Sequence, residues 1–122
     1  MATDPLISII DDDPSLQKAL VSLVRSLGYT ARGFASAEEF LEAGAASACS
    51  CIITDIQMPG MSGIDLKRLM DERECAVPVI MITARTEPDL EQSAFASGAF
   101  CFLKKPIDPN VLVDCLARVL KR

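Results

Sequence analysis

Five apolar runs of strand length recur along the chain, each followed by a stretch whose apolar residues fall at helical spacing. Leu6 to Ile10 is the first. It ends in Asp11-Asp12-Asp13, after which Pro14 opens a helix with Asp13 as its cap. Leu16, Leu20, Leu23, Val24 and Leu27 form that helix's apolar stripe, and Gly28 stops it. Thr30 to Phe34 reads as a weaker strand, placed at a sheet edge by Arg32. Ser36-Ala37-Glu38-Glu39 has the form of a capping box opening a short helix with Phe40 and Leu41, and Gly44 to Ser50 is small and polar, hence loop.

The third run, Cys51 to Thr54, shows no polar alternation, as expected of a strand covered on both faces. It delivers one carboxylate, Asp55, just before Met58-Pro59-Gly60 and Gly63 force a turn. A helix from Ser62 to Arg73 follows, bearing Leu66, Leu69 and Met70. Pro78 to Thr83 is the fourth strand, and Thr86-Glu87-Pro88-Asp89 starts a helix that Gly98 ends. Ala99 to Leu103 is the fifth. Lys104-Lys105-Pro106 closes it, and Asp108-Pro109 opens a last helix with Leu112, Cys115, Leu116 and Val119 on one face. Strands alternating with helices to the end predict an α/β parallel sheet with helices on both faces, as one domain over residues 1–122.

Composition removes several function classes. Half of the residues are hydrophobic, so a packed core is expected. No apolar run approaches the ~18 residues of a membrane span, and the opening Met1-Ala2-Thr3-Asp4-Pro5 lacks the pattern of a signal peptide. A cytoplasmic setting without membrane attachment is therefore expected. The five cysteines, Cys49, Cys51, Cys75, Cys101 and Cys115, contain no C-x-x-C pair and no histidine accompanies them, which favours buried free thiols over zinc. Lacking histidine, any neutral-pH chemistry rests on carboxylates, Lys and hydroxyls. A net charge of −5 argues against the chain gripping nucleic acid by itself.

In a parallel sheet the C-terminal strand ends form one edge, where open α/β folds bind ligands. That edge collects Asp11, Asp12 and Asp13, then Asp55, Thr83 and Lys105. Crowded carboxylates repel unless a cation joins them, and oxygen-only ligands suit a hard divalent ion, most plausibly Mg²⁺. A cation, a hydroxyl and an ammonium around a carboxylate are the parts that stabilise a phosphoryl group in transfer. No Ser or Cys has a partner base, so Asp55 is the expected nucleophile, giving an acyl phosphate. Each part also has an ordinary alternative. Asp13 serves a helix as its cap, Asp55 can cap a turn, Thr83 is a common strand residue, and Lys104 or Lys105 can be a solvated end.

Ile9-Ile10-Asp11-Asp12-Asp13-Pro14, Asp55-Ile56-Gln57-Met58-Pro59-Gly60-Met61-Ser62-Gly63, Ile82-Thr83-Ala84 and Phe102-Leu103-Lys104-Lys105-Pro106 resemble, in order, the motifs of the receiver domain of two-component response regulators. The resemblance spans essentially the whole chain. It implies a flavodoxin-like (βα)5 doubly wound sheet with strand order 2-1-3-4-5. It implies that Asp55 accepts phosphate from a sensor histidine kinase, and that Asp12, Asp55 and the Gln57 carbonyl hold Mg²⁺, with Asp11 acting largely through water. Thr83, Ala84 and Lys105 would bind the phosphoryl oxygens, Thr83 and Phe102 would form the switch, and the Lys105-Pro106 bond is often cis in the family. The activity implied is self-catalysed phosphotransfer and autodephosphorylation at Asp55, not metabolic catalysis. Switching would alter the surface of the fourth helix, fifth strand and fifth helix, with a phosphorylation-dependent homodimer as one outcome. Gln57 and Arg85, two residues beyond Asp55 and Thr83, flank the path of an attacking water. The Met58–Gly63 loop and the Phe34–Phe40 segment look most like receivers that precede a LuxR-type DNA-binding domain, so transcription is the expected output, from a stand-alone or excised receiver.

Two other classes compete. A Mg²⁺-dependent phosphatase with an Asp nucleophile, of the haloacid dehalogenase type, wants a second acid where Gln57 stands. A flavodoxin-like FMN carrier needs a hydroxyl-rich phosphate loop after the first strand, where Asp11-Asp12-Asp13 would repel the phosphate.

Overall fold

The computed structural model describes residues 5–84 and 87–120. The expected helix start at Thr86, Arg85, and Lys121 lie outside the described residues. Five strands, β1 (Leu6–Ile10), β2 (Thr30–Phe34), β3 (Cys51–Asp55), β4 (Val79–Thr83) and β5 (Cys101–Lys104), alternate with α1 (Pro14–Ser26), α2 (Ala37–Glu42), α3 (Gly63–Glu72), α4 (Pro88–Ala96) and α5 (Pro109–Leu120). All pairings are parallel, in the order β2-β1-β3-β4-β5. The Gly44–Ser50 stretch contains one 3-10 turn, Ala45–Ser47, too short for any periodicity to reveal.

Strand composition sorts itself by position in this sheet. Every residue of β3 and β4 is buried, which is why their sequences show no alternation. β2 is one edge strand, and Arg32 stays exposed there with its guanidinium 5.0 Å above the Phe34 ring. Alternate side chains feed two separate cores. On one face Ile7, Ile9, Ile53, Ile80 and Ile82 meet Leu20 and Val24 of α1 and Leu112, Cys115 and Leu116 of α5. On the other, Ile10, Phe34, Ile52 and Met81 meet Phe40 of α2, Ile64, Leu66 and Met70 of α3, and Ala94 of α4. Cys51 and Cys101 are buried strand thiols, as their apolar surroundings imply.

The helix starts follow local chemistry. The Asp13 carboxylate accepts from the N–H groups of Ser15 and Leu16 at 3.0 and 3.4 Å, so it caps α1. Ser36 accepts from the Glu39 N–H at 3.0 Å, while a reciprocal capping box forms at Ser62 and Asp65, opening α3. Among the described residues no helix is long and apolar enough to cross a membrane.

Candidate functional site

The site follows from strand order. β1 lies between β2 and β3, so the chain reverses its direction of winding between β1 and β3, and a crevice opens at their C-terminal ends. Ile10 pairs with Thr54, which sets Asp11 beside Asp55 although 44 positions separate them in the numbering. Asp11 is fully buried, Asp55 nearly so and Asp12 exposed, and one carboxylate oxygen from each lies within 4.8 Å of the others. Asp13 points away to its helix.

Lys105 supplies the counter-charge. Its Nζ lies 3.2 Å from Asp55 Oδ2 in a hydrogen bond, and 3.1 Å from Asp11 Oδ2, in ion-pair range but without hydrogen-bond alignment. The lysine side chain is only 12% exposed, so this pairing is sheltered from solvent screening. Lys104, one residue earlier, is exposed and sits in register with Thr83. The Lys105-Pro106 peptide is cis. The Lys105 N–H donates to the Thr83 carbonyl at 2.9 Å, tying the end of β5 to the end of β4.

Charge and burial conflict at Asp55. Burial pushes its carboxyl above the usual range, against the charge and hydrogen bond of Lys105; Asp11 pushes it up further, and the Gln57 backbone N–H pulls it down. For Lys105, burial pulls the ammonium down, but Asp11 and Asp55 together outweigh it and the net shift is upward. Among the described residues, Asp55 Oδ1 is buried with no hydrogen-bond partner. Three carboxylates against one ammonium leave two negative charges, and an orphaned buried oxygen faces the same cluster. The residues therefore fit a small divalent cation with hard oxygen ligands.

The remaining expected residues lie around this centre. Thr83 ends β4 fully buried, and Ala84 follows it exposed. Gln57 is exposed on the loop between β3 and α3. Phe102 is half-buried on β5 at the flank, with its ring centroid 6.2 Å from that of Phe95 on α4. Three contacts were not legible from motifs. A Cβ at Gly63 would come within 2.6 Å of the Asp55 carbonyl, so only glycine lets α3 begin this close to the site. Phe95 stands against Phe102, and Glu38 of α2 reaches the loop after Asp55, accepting from the Met61 N–H at 2.9 Å. Gly63 stands at a fixed spacing from Asp55 in the motif, but its close approach to the Asp55 carbonyl, like the other two contacts, joins separate elements.

Residues 7–117 match the family model described as the response regulator receiver domain. The chain is 38% identical over 116 residues to the response regulator protein TodT of Pseudomonas putida, covering 95% of this chain and 51% of that protein. It is 34% identical over 116 residues to the transcriptional regulatory protein FixJ of Azorhizobium caulinodans, covering 95% and 55%. The chain thus spans about half the length of these curated relatives. Its fold superposes on the chemotaxis protein CheY4 of Vibrio cholerae with a TM-score of 0.87 at 28% identity, covering 97% of this chain and 100% of that one. With the family model aligned across nearly the whole chain and the sheet order shared, this protein belongs to the response regulator receiver domain family.

Proposed function

We propose that this receiver takes a phosphoryl group from a sensor histidine kinase onto Asp55, and that the modification drives an output, most plausibly transcription. The observation that carries the reading is the buried Asp55 carboxylate with Lys105 on one oxygen and, among the described residues, no partner on the other. Asp11, Asp12, Asp55 and the Gln57 carbonyl would hold Mg²⁺, which when bound would supply positive charge to offset the negative charge on the phosphoryl oxygens.

The chain's own residues would do the rest. An Asp55 carboxylate oxygen attacks phosphorus while the phosphorus–nitrogen bond of the donor phosphohistidine breaks, its electron pair leaving on the imidazole. Lys105, already paired with this carboxylate, holds a positive charge where the phosphoryl oxygens arrive. The Thr83 hydroxyl and the Ala84 N–H are the proposed donors to the other phosphoryl oxygens. Hydrolysis of the acyl phosphate by water returns the resting state. A metal-dependent phosphatase of the Asp-nucleophile type is disfavoured because Gln57 stands where its second acid belongs.

Two finer proposals rest on this one. The Met58–Gly63 loop and the Phe34–Phe40 segment, with relatives about twice the chain's length, support an output through a LuxR-type DNA-binding domain. The α4, β5 and α5 surface, carrying Phe95, Phe100 and Val111 exposed, supports a homodimer favoured by phosphorylation. The test of the central reading is intact mass after treatment with a small acyl phosphate and Mg²⁺. Wild type should gain one phosphoryl group, labile to hydroxylamine, and Asp55→Asn should gain none; stoichiometric uptake by Asp55→Asn overturns it.

A further inference from the structure

We infer that Glu38 is a positioning residue for the phosphoacceptor loop: from the first turn of α2 it grips the Met61 N–H and holds the segment bearing Gln57 beside Asp55. The inference rests on the proposed role of Asp55 and of the Gln57 carbonyl.

The loop is well fixed at its two ends. The Ile56 N–H donates to the Ile82 carbonyl at 2.9 Å, and the Gly63 N–H closes back onto the Ile56 carbonyl at 3.0 Å, while Ser62 caps α3. The residues between have weaker anchorage. Met58 and Met61 pack only partly against the core under α2 and α3, Gln57, Pro59 and Gly60 are exposed, and Pro59 has no N–H to offer. Yet this segment carries Gln57, two residues beyond Asp55, whose carbonyl is the proposed metal ligand. Its geometry therefore bears on the site.

Glu38 reaches this segment from a separate element, across 23 positions of sequence. Its Oε2 accepts from the Met61 N–H at 2.9 Å, a charge-assisted bond. Gly60 makes the approach feasible. Its φ is +78°, and a Cβ there would sit 2.5 Å from the same Glu38 oxygen. Any side chain at position 60 would both strain the backbone and push the carboxylate off. Ala37, one residue before Glu38, and Phe40, two after it, are fully buried and fix α2 on the core, so the carboxylate projects from an anchored helix.

An ordinary role competes: Glu38 and Glu39 both stand in the first turn of α2, where acids favour the helix dipole. The two differ in that the Glu39 N–H is held by Ser36, whereas the Glu38 carboxylate is spent on the loop. Glu39→Ala therefore removes the same helix-end charge without touching the clamp.

The experiment compares wild type, Glu38→Ala, Glu38→Gln and Glu39→Ala by amide hydrogen exchange at Met61 and by calorimetric titration with Mg²⁺. In Glu38→Ala, Met61 exchange should quicken about tenfold, as loss of a bond to a charged group implies. The Mg²⁺ Kd should rise by about tenfold, the usual effect of removing a group that orients a metal ligand. Glu38→Gln, which keeps an acceptor oxygen, should recover most of both, and Glu39→Ala should change neither. Unchanged Met61 exchange in Glu38→Ala, or faster exchange with wild-type Mg²⁺ affinity, overturns the positioning role. Equal effects from Glu39→Ala overturn it in favour of helix electrostatics. Absence of saturable Mg²⁺ binding in wild type is a different failure: it overturns the reading of the site itself, and the inference falls with it.

Discussion

Lys105 Nζ stands 3.2 Å from Asp55 Oδ2 and 3.1 Å from Asp11 Oδ2, so one ammonium holds together two buried carboxylates whose like charges repel. Removing it leaves two buried acids facing each other, for which loss of a buried partner costs about 3 kcal/mol. We expect Lys105→Ala, measured by urea unfolding at neutral pH without divalent ions, to lose stability on that scale. Lys104→Ala, at an exposed position, should stay within about 0.5 kcal/mol of wild type. Equal losses in the two variants would refute the asymmetry.

Divalent ions should act on the same cluster. Wild type should give a saturable Mg²⁺ heat in calorimetry, and Asp12→Ala should weaken it severely, since Asp12 is the exposed member of the three carboxylates and opens the site to solvent. Because the ion binds the folded chain, Mg²⁺ at 100 times its Kd should add about 2.7 kcal/mol of stability, read as a rise in Tm. An unaltered titration in Asp12→Ala would remove that residue from the ligand set.

The buried thiols set an alkaline limit. Burial pushes the Cys101 thiol up to about 12, aided by the neighbouring Cys115 thiol, and burial pushes Cys51 higher still from its ordinary 9.0. In the unfolded chain these thiols ionise above pH ~9, whereas in the fold they keep their protons, so the folded state binds more protons there. Stability must then fall as pH rises above ~9, by up to about 1.4 kcal/mol per pH unit for each thiol. Lys105, raised above its ordinary 10.5, adds a loss of the same sign at higher pH. Urea midpoints from pH ~8 to ~11 should decline less steeply in a Cys51→Ala/Cys101→Ala double variant than in wild type. Parallel declines would show that other groups govern the limit.

The contact between Phe102 and Phe95 bears on the proposed switch. Phe102 is half-buried with its ring 6.2 Å from Phe95, and Phe95 and Phe100 are 48% and 45% exposed on the same surface. Exposed acids at Glu87, Asp89 and Glu91 and bases at Lys104 and Arg118 belong to these same elements or their flanks, so the surface combines apolar contact with charges of both signs. Moving a two-state surface from mostly off to mostly on takes roughly 5 kcal/mol, within reach of several charge-assisted hydrogen bonds to one phosphoryl group. Sedimentation should show a dimer with beryllofluoride and Mg²⁺, a monomer without, and a weakened dimer in Phe102→Ala. A monomer throughout at high concentration, or a dimer indifferent to Phe102, would sink this output.

The order of elements and the depth of the central strands were legible in the sequence because they are local and periodic. Uninterrupted apolar runs at Cys51–Thr54 and Val79–Ile82 mark strands covered twice, and the stripe from Leu16 to Leu27 marks one helix face. Asp13 as a cap and Arg32 as an edge residue follow from single-residue chemistry, and the structure has both. The carboxylates and Lys105 could be assigned to one edge because parallel strands share a direction. Residue pattern alone does not separate Lys104 from Lys105; the resemblance implies Lys105, and packing shows how the two differ. Lys104 and Lys105 are neighbours of the same type, and the alternation of β5 together with the tie from the Lys105 N–H to the Thr83 carbonyl sends Lys105 inward and leaves Lys104 in solvent. Likewise the grip of Glu38 on Met61, the space that Gly63 leaves against the Asp55 carbonyl, and the pairing of Phe95 with Phe102 join elements far apart in the chain. Local pattern carries no information about such contacts; they exist only once strand order and helix packing bring those surfaces within a few ångströms of each other.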